Sequence, residues 1–185
     1  ANTFNNLTLL GRTTLGINTH SFSSNQTING TFTVSAGTDA TMRTFVRSAT
    51  LGTTITLTCA AAAATDTDFR DITIAGAAAP VSGTRLGDCK GNSGITFDAA
   101  KTVYWSLGIL GGNWSSTAWA TSIGGVAAVN NFPLAQDTAI VPSTSPLTGK
   151  SITIDFSYNI GTIDTSARTS NTLTLTCNGD YQVHG

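Results

Sequence analysis

The chain has 185 residues, a formal net charge of −1 and only 10% charged residues, where an ordinary globular domain carries about 25%. All ten acidic residues are aspartate, lysine occurs three times, and threonine fills about one position in five. This composition excludes a nucleic-acid footprint, disorder and a helix-rich α/β enzyme: basic residues are few and scattered, hydrophobic residues reach 40%, and the best surface helix formers are scarce.

The first segment alternates. Leu7, Leu9, Gly11, Thr13, Leu15 and Ile17 share one face of an extended chain, between polar flanks. Such a strand pairs within its own domain or leaves it to complete the sheet of a neighbour. Residues 27–35 follow as a strand with Ile28, Phe32 and Val34 inward, and residues 42–47 as another. Residues 54–59 place Ile55, Leu57 and Cys59 on one face, and Ala60–Ala64 reads as a helical turn or a loop crossing.

Further strands are expected at 71–75, 94–97, 102–109 and 138–141. Turn chemistry separates them at 36–39, 86–88, 91–94, 111–113 and 142–146. Residues 125–130 are a second weak helix seed. The clearest alternation runs over 151–158, with Ile152, Ile154, Phe156 and Tyr158 on one side. Residues 172–177 repeat the pattern of 54–59, with Leu173, Leu175 and Cys177 inward. The expected fold is all-β: an antiparallel β-sandwich or jelly roll over 21–185, preceded by an extended N-terminal strand over 1–20.

Chemistry-bearing groups are sparse. The two histidines, His20 and His184, lie in polar surroundings, and no nucleophile-elbow pattern surrounds any serine. A non-enzymatic role without cofactor is expected. Asp66, Asp68 and Asp71 fall within six residues and read as a solvated loop partly neutralised by Arg70, with calcium as the alternative. Trp105 shares a face with Val103 and Leu107 and reads as core. Trp114 and Trp119 sit in a Gly/Ser-rich loop as candidate interface anchors, with core or sugar stacking as alternatives. Three cysteines allow one disulfide; Cys59–Cys89 is preferred over Cys59–Cys177, and three buried thiols is the remaining option. Sequons place candidate glycans on Asn6, Asn25, Asn29 and Asn113.

The chain begins at Ala1 and reads as a mature secreted protein after signal cleavage, extracellular or at a cell surface. It has no apolar run of the roughly 18–20 residues that a membrane helix needs.

Residues 151–158 followed by 168–176 resemble the closing hairpin of secreted matrix-fibre subunits, the TasA/camelysin type and the archaeal bundling pili or threads. The resemblance implies a jelly-roll subunit whose N-terminal segment inserts into the next copy, so that Leu7, Leu9, Gly11, Leu15 and Ile17 form a donor strand. Thr56-Leu57-Thr58-Cys59 is similar to the cysteine-bearing strand of chaperone–usher and spore-coat-U pilins, although 180–185 lack the alternation of their final strand. The expected function is a structural subunit of a pilus-like or biofilm-matrix filament whose partner is itself. A secreted carbohydrate-binding or adhesin module, with surface glycans as partner, and a viral jelly-roll capsid or appendage protein are the alternatives.

Overall fold

The computed structural model describes residues 1–35, 37–107, 111–143, 150–169 and 172–184. The end of the expected strand 102–109, most of the turn 142–146, residue 36 of the turn 36–39 and residues 170–171 of the fibre-like segment lie outside these. Two compact units divide the chain, 1–99 and 100–185.

In the first unit the strands are β1 (Asn2–Phe4), β2 (Leu7–Leu9), β3 (Gly16–Phe22), β4 (Gln26–Val34), β5 (Met42–Ser48), β6 (Ile55–Ala64), β7 (Thr67–Arg70), β8 (Ile72–Ala75), β9 (Val81–Ser82), β10 (Gly87–Asp88) and β11 (Ile95–Thr96). They form three walls. One is β1–β4–β6–β8 with β2 also on β4, the second is β10–β7–β5–β3, and the third is β11–β9. Every one of these pairings is parallel. The chain crosses the first wall, then the second, and returns one strand further along, so each circuit stacks on the previous one as a parallel β-solenoid. Parallel neighbours need a long connection, and here the connection is itself a strand of another wall.

The core forms because inward positions stack on inward positions. Leu7 lies on Phe32, Leu9 on Val34, Ile28 on Cys59, Leu57 on Ile74 and Val46 on Phe69. These residues belong to one apolar cluster in which Leu57, Val46 and Phe69 are fully buried. The run Ala60–Ala64, expected as a helical turn or crossing, continues β6 as strand. Its small side chains lie beside Phe32 and Val34 of β4, and lateral pairing overrides alanine's helix preference. A bulge between Ile28 and Thr31 shifts the register midway.

The second unit contains β12 (Thr102–Trp105), β13 (Gly112–Asn113), β14 (Trp119–Ala120), β15 (Thr138–Ile140), β16 (Lys150–Ile154), β17 (Tyr158–Ile160), β18 (Thr162–Asp164), β19 (Leu173–Cys177) and β20 (Tyr181–Val183). Its walls are β14–β12–β15–β18, β13–β16–β19 and β17–β20. Only β12–β14 is antiparallel among the described strands. Residues 125–130 contribute only a short 3₁₀ turn, Val129–Asn131.

The expected antiparallel sandwich is therefore corrected to parallel solenoid units. Residues 151–158 are not one strand but two, broken at Asp155–Ser157. The segments read as a closing hairpin are parallel, Ile152 beside Leu175 and Ile154 beside Cys177. Alternation with period two is the same in both arrangements, so it could not separate them. Leu175 and Cys177 were expected inward, yet Leu175 is 37% exposed and Cys177 is exposed. They cover buried Ile152 and Ile154 from one side, because β19 ends its sheet among the described strands.

Candidate functional site

The N-terminal segment pairs with strands of the first unit. Phe4 stands beside Ile28, Leu7 beside Phe32 and Leu9 beside Val34, with Leu9 buried. Ile17, in β3, stands beside Arg43. Gly11 and Leu15 lie outside strands, in a corner that Arg12 ties together by donating to the carbonyls of Thr14, Leu15 and Ile17. The five residues expected on one donor face are thus separated: Leu7 and Leu9 on one wall, Ile17 on another, and Gly11 and Leu15 in the corner between. β1, β2 and β3 each pair along one edge only among the described strands, and none contains Lys, Pro or Asp, the residues that ordinarily blunt an open edge.

Asp66, Asp68 and Asp71 form an arginine-paired network, not a solvated loop. Arg43 and Asp68 are buried, and the guanidinium donates to the carboxylate from Nε at 2.9 Å and from Nη2. Arg85 holds Asp66 through two hydrogen bonds. Asp71 accepts from the Gly52 amide at 2.9 Å and faces Arg70 at 3.5 Å. The anionic partners raise the pKa of Arg43 against the opposing effect of its burial. Asp66 and Asp71 occupy left-handed corners, with φ of 51° and 56°, a conformation aspartate tolerates better than most residues. The three carboxylates thus hold cations supplied by the protein itself. No cluster of three or more His, Cys or Asp side chains suited to a metal occurs among the described residues.

Trp114 and Trp119 are fully buried, which corrects their reading as interface anchors. Trp119 packs edge-on against Trp105 at 5.3 Å and Trp114 at 4.6 Å, and its indole N–H donates to the Trp114 carbonyl. The Gly/Ser-rich loop folds over its own tryptophans, since burying such large rings outweighs the loop's polar composition.

All three cysteines are free thiols, so the expected Cys59–Cys89 bridge is not formed. Cys59 points into the apolar cluster from β6. Cys89 follows β10 in the other wall, its amide bonded to the Phe69 carbonyl. Burial raises the pKa of Cys59 to about 11 and pushes that of Cys89 up, with the Asp68 charge adding to the latter. Asn6, Asn25, Asn29 and Asn113 are all exposed. The side-chain oxygens of Asn6 and Asn25 accept from the Thr31 and Thr56 amides.

The abundance of threonine and scarcity of charge pointed to a threonine-lined surface that the sequence alone did not locate. On the outer face of the β1–β4–β6–β8 wall, Thr3, Thr27, Thr58 and Ala75 stand in one row across four strands. Thr56 and Thr73 form a second row, extended to Ser93 by a 2.7 Å hydroxyl–hydroxyl bond. Beyond the bulge, Thr8, Thr33 and Ala63 form a third, and Thr31 stands beside Ala61. No charged or aromatic side chain interrupts these rows. The signal was present as the Thr-x-Thr spacing of 31–33 and 56–58, but only the parallel register assembles it into an array. In the second unit, Asn113, Thr153 and Thr176 form a similar row.

A recess of about 300 Å³ in the second unit is lined by Thr165, Arg168, Thr172, Leu173 and Leu175, and Arg168 donates to the Pro142 carbonyl. No family model matches this chain, nor does any curated protein or solved structure.

Proposed function

We propose that this chain is a structural building block of an extracellular fibre or appendage, self-associating through its N-terminal segment without catalysing a reaction. The observation that carries the reading is the edge formed by β1, β2 and β3, which pairs on one side only among the described strands. A strand from a second copy added there would extend the solenoid by the same parallel pairing that joins the circuits internally. Seven-residue β3 offers the longest such template. Main-chain pairing of this kind resists shear and proteolysis, and a surface so poor in charge gives little repulsion between copies. The carbohydrate-binding alternative loses its stacking platform with the burial of Trp114 and Trp119.

The test is negative-stain electron microscopy together with sedimentation velocity on the purified chain and on Thr19→Lys. Thr19 is exposed at the centre of β3, and lysine on an edge strand discourages strand addition. Filaments of uniform width from the parent chain, replaced by monomers of unchanged circular dichroism in the variant, are expected. A parent chain that stays monomeric at every concentration overturns the reading.

A further inference from the structure

We infer that the outer threonine face of the β1–β4–β6–β8 wall packs against the same face of a second copy of this chain. This deepens the fibre reading and rests on it for the bundled form of the assembly.

The face is chemically complementary to itself. When a face meets its own copy about a two-fold axis, every group encounters a group from the same small set. A face bearing one sign of charge would repel itself. This face presents hydroxyls, each able to donate and to accept, alternating with the methyl groups of threonine and alanine. Thr3, Thr27 and Thr58 are exposed in one row, and Ala61 and Ala63 are exposed beyond the bulge. Of the charges in the second wall, Arg43 and Asp68 are buried and paired with each other, Arg70 is buried, and Arg47 lies over the Phe45 ring and donates to Ser21 of the same wall.

The rows are also regularly spaced. Parallel strands repeat at about 4.8 Å and alternate residues along a strand at about 6.6 Å. Two identical arrays can therefore interdigitate row by row without adjusting the backbone.

The area of the face sets the strength of the contact. The wall is four strands wide beside the first half of β6 and three beyond the bulge, a face of roughly 450 Å² per copy on those spacings. That gives about 900 Å² in total, just below the usual range of a specific interface. A single pair of copies is held weakly, whereas copies already joined in a filament bind laterally through many such contacts at once. The face thus suits filament bundling better than a free-standing dimer. It also lacks the aromatic anchors that a heterologous protein partner or a glycan ordinarily uses.

The test compares the parent chain with the double variant Thr27→Lys/Thr58→Lys. Both positions are exposed on strand interiors, away from the β3 edge, and an unchanged melting curve verifies the fold. By electron microscopy, the parent is expected to give side-by-side bundles and the variant single filaments of the same width. Single filaments from the parent, or equal bundling by both, overturn the face pairing while leaving the fibre reading intact. If the parent forms no filaments, that reading falls, and sedimentation equilibrium decides the face alone. Concentration-dependent dimerisation by the parent, weakened about a hundredfold in the variant by like-charge contact, supports the pairing. A parent that remains monomeric at millimolar concentration overturns it.

Discussion

At the scale of single residues, the Arg43–Asp68 pair is the most exposed to mutation. Both side chains are buried, so removing one leaves a charge in the interior without its hydrogen-bonded partner. Asp68→Ala is expected to cost about 3–5 kcal/mol, and replacing both partners by apolar residues to recover much of that loss. Urea denaturation of the single and double variants measures it; equal stability of Asp68→Ala and the parent would refute the assignment. Lys90 illustrates the opposite case. It is exposed and held at φ 74°, where a side chain is strained and glycine is not. Lys90→Gly should therefore stabilise by roughly 0.5 kcal/mol, the relief of strain less the greater freedom that glycine gives the unfolded chain.

The thiols give a third expectation at this scale. A thiol reagent should label Cys177 in the native protein and reach Cys59 and Cys89 only after unfolding, because the latter two are buried. Cys59 also links stability to pH. Its folded pKa is raised from 9.0 to about 11, so the folded state retains a proton that the unfolded state releases. The associated stability is complete below about pH 9 and is lost as pH rises through about 11. Cys89, shifted in the same direction, acts with it. Denaturation midpoints that do not fall across this window, or that recover their lost stability above it, contradict this account.

At the scale of elements, tight approaches between circuits matter more than strand propensity. Gly94 sits at φ 67°, and a Cβ built there would lie 2.0 Å from the Ile74 carbonyl oxygen. The Ser93 and Val81 hydrogen bonds flanking this point join β8 and β9 to the circuit above. Gly94→Ala should therefore destabilise the first unit by about 1–3 kcal/mol through overpacking, measured as a drop in its unfolding midpoint. In the second unit, Trp119 lies at the centre of the tryptophan cluster, with an aromatic neighbour on two sides. Trp119→Ala is expected to cost about 3–5 kcal/mol. An anchor on the surface would show almost no loss, so the same measurement separates the two readings of this residue.

At the scale of the whole molecule, each unit carries its own buried set. Ile28, Leu57, Phe69 and Leu86 fill the first; Val103, Phe132, Ile152 and Ile160 the second. Residues 1–99 expressed alone should then unfold cooperatively in denaturant, as followed by far-ultraviolet circular dichroism. A non-cooperative, urea-insensitive signal counts against an independent core.

The sequence by itself determined that the protein is built of strands, roughly where most of them lie, and which face of 27–35, 54–59 and 102–105 turns inward. Side-chain alternation is a local property, and Ile28, Phe32, Leu57 and Trp105 carry it without reference to the rest of the chain. Strand direction was decided only by the tertiary structure, because alternation is identical for parallel and antiparallel neighbours. The usual sequence sign of a solenoid, a fixed repeat, is hidden because the circuits differ in length: Gln26 meets Leu57, but Ile55 meets Ile72. The same holds for the sites. Asp66 and Asp68 look like a solvated acidic loop until the circuits bring Arg43 and Arg85 against them, and Trp114 and Trp119 look exposed until their loop closes. The threonine rows exist in no single segment of the chain, since each takes its residues one apiece from successive circuits.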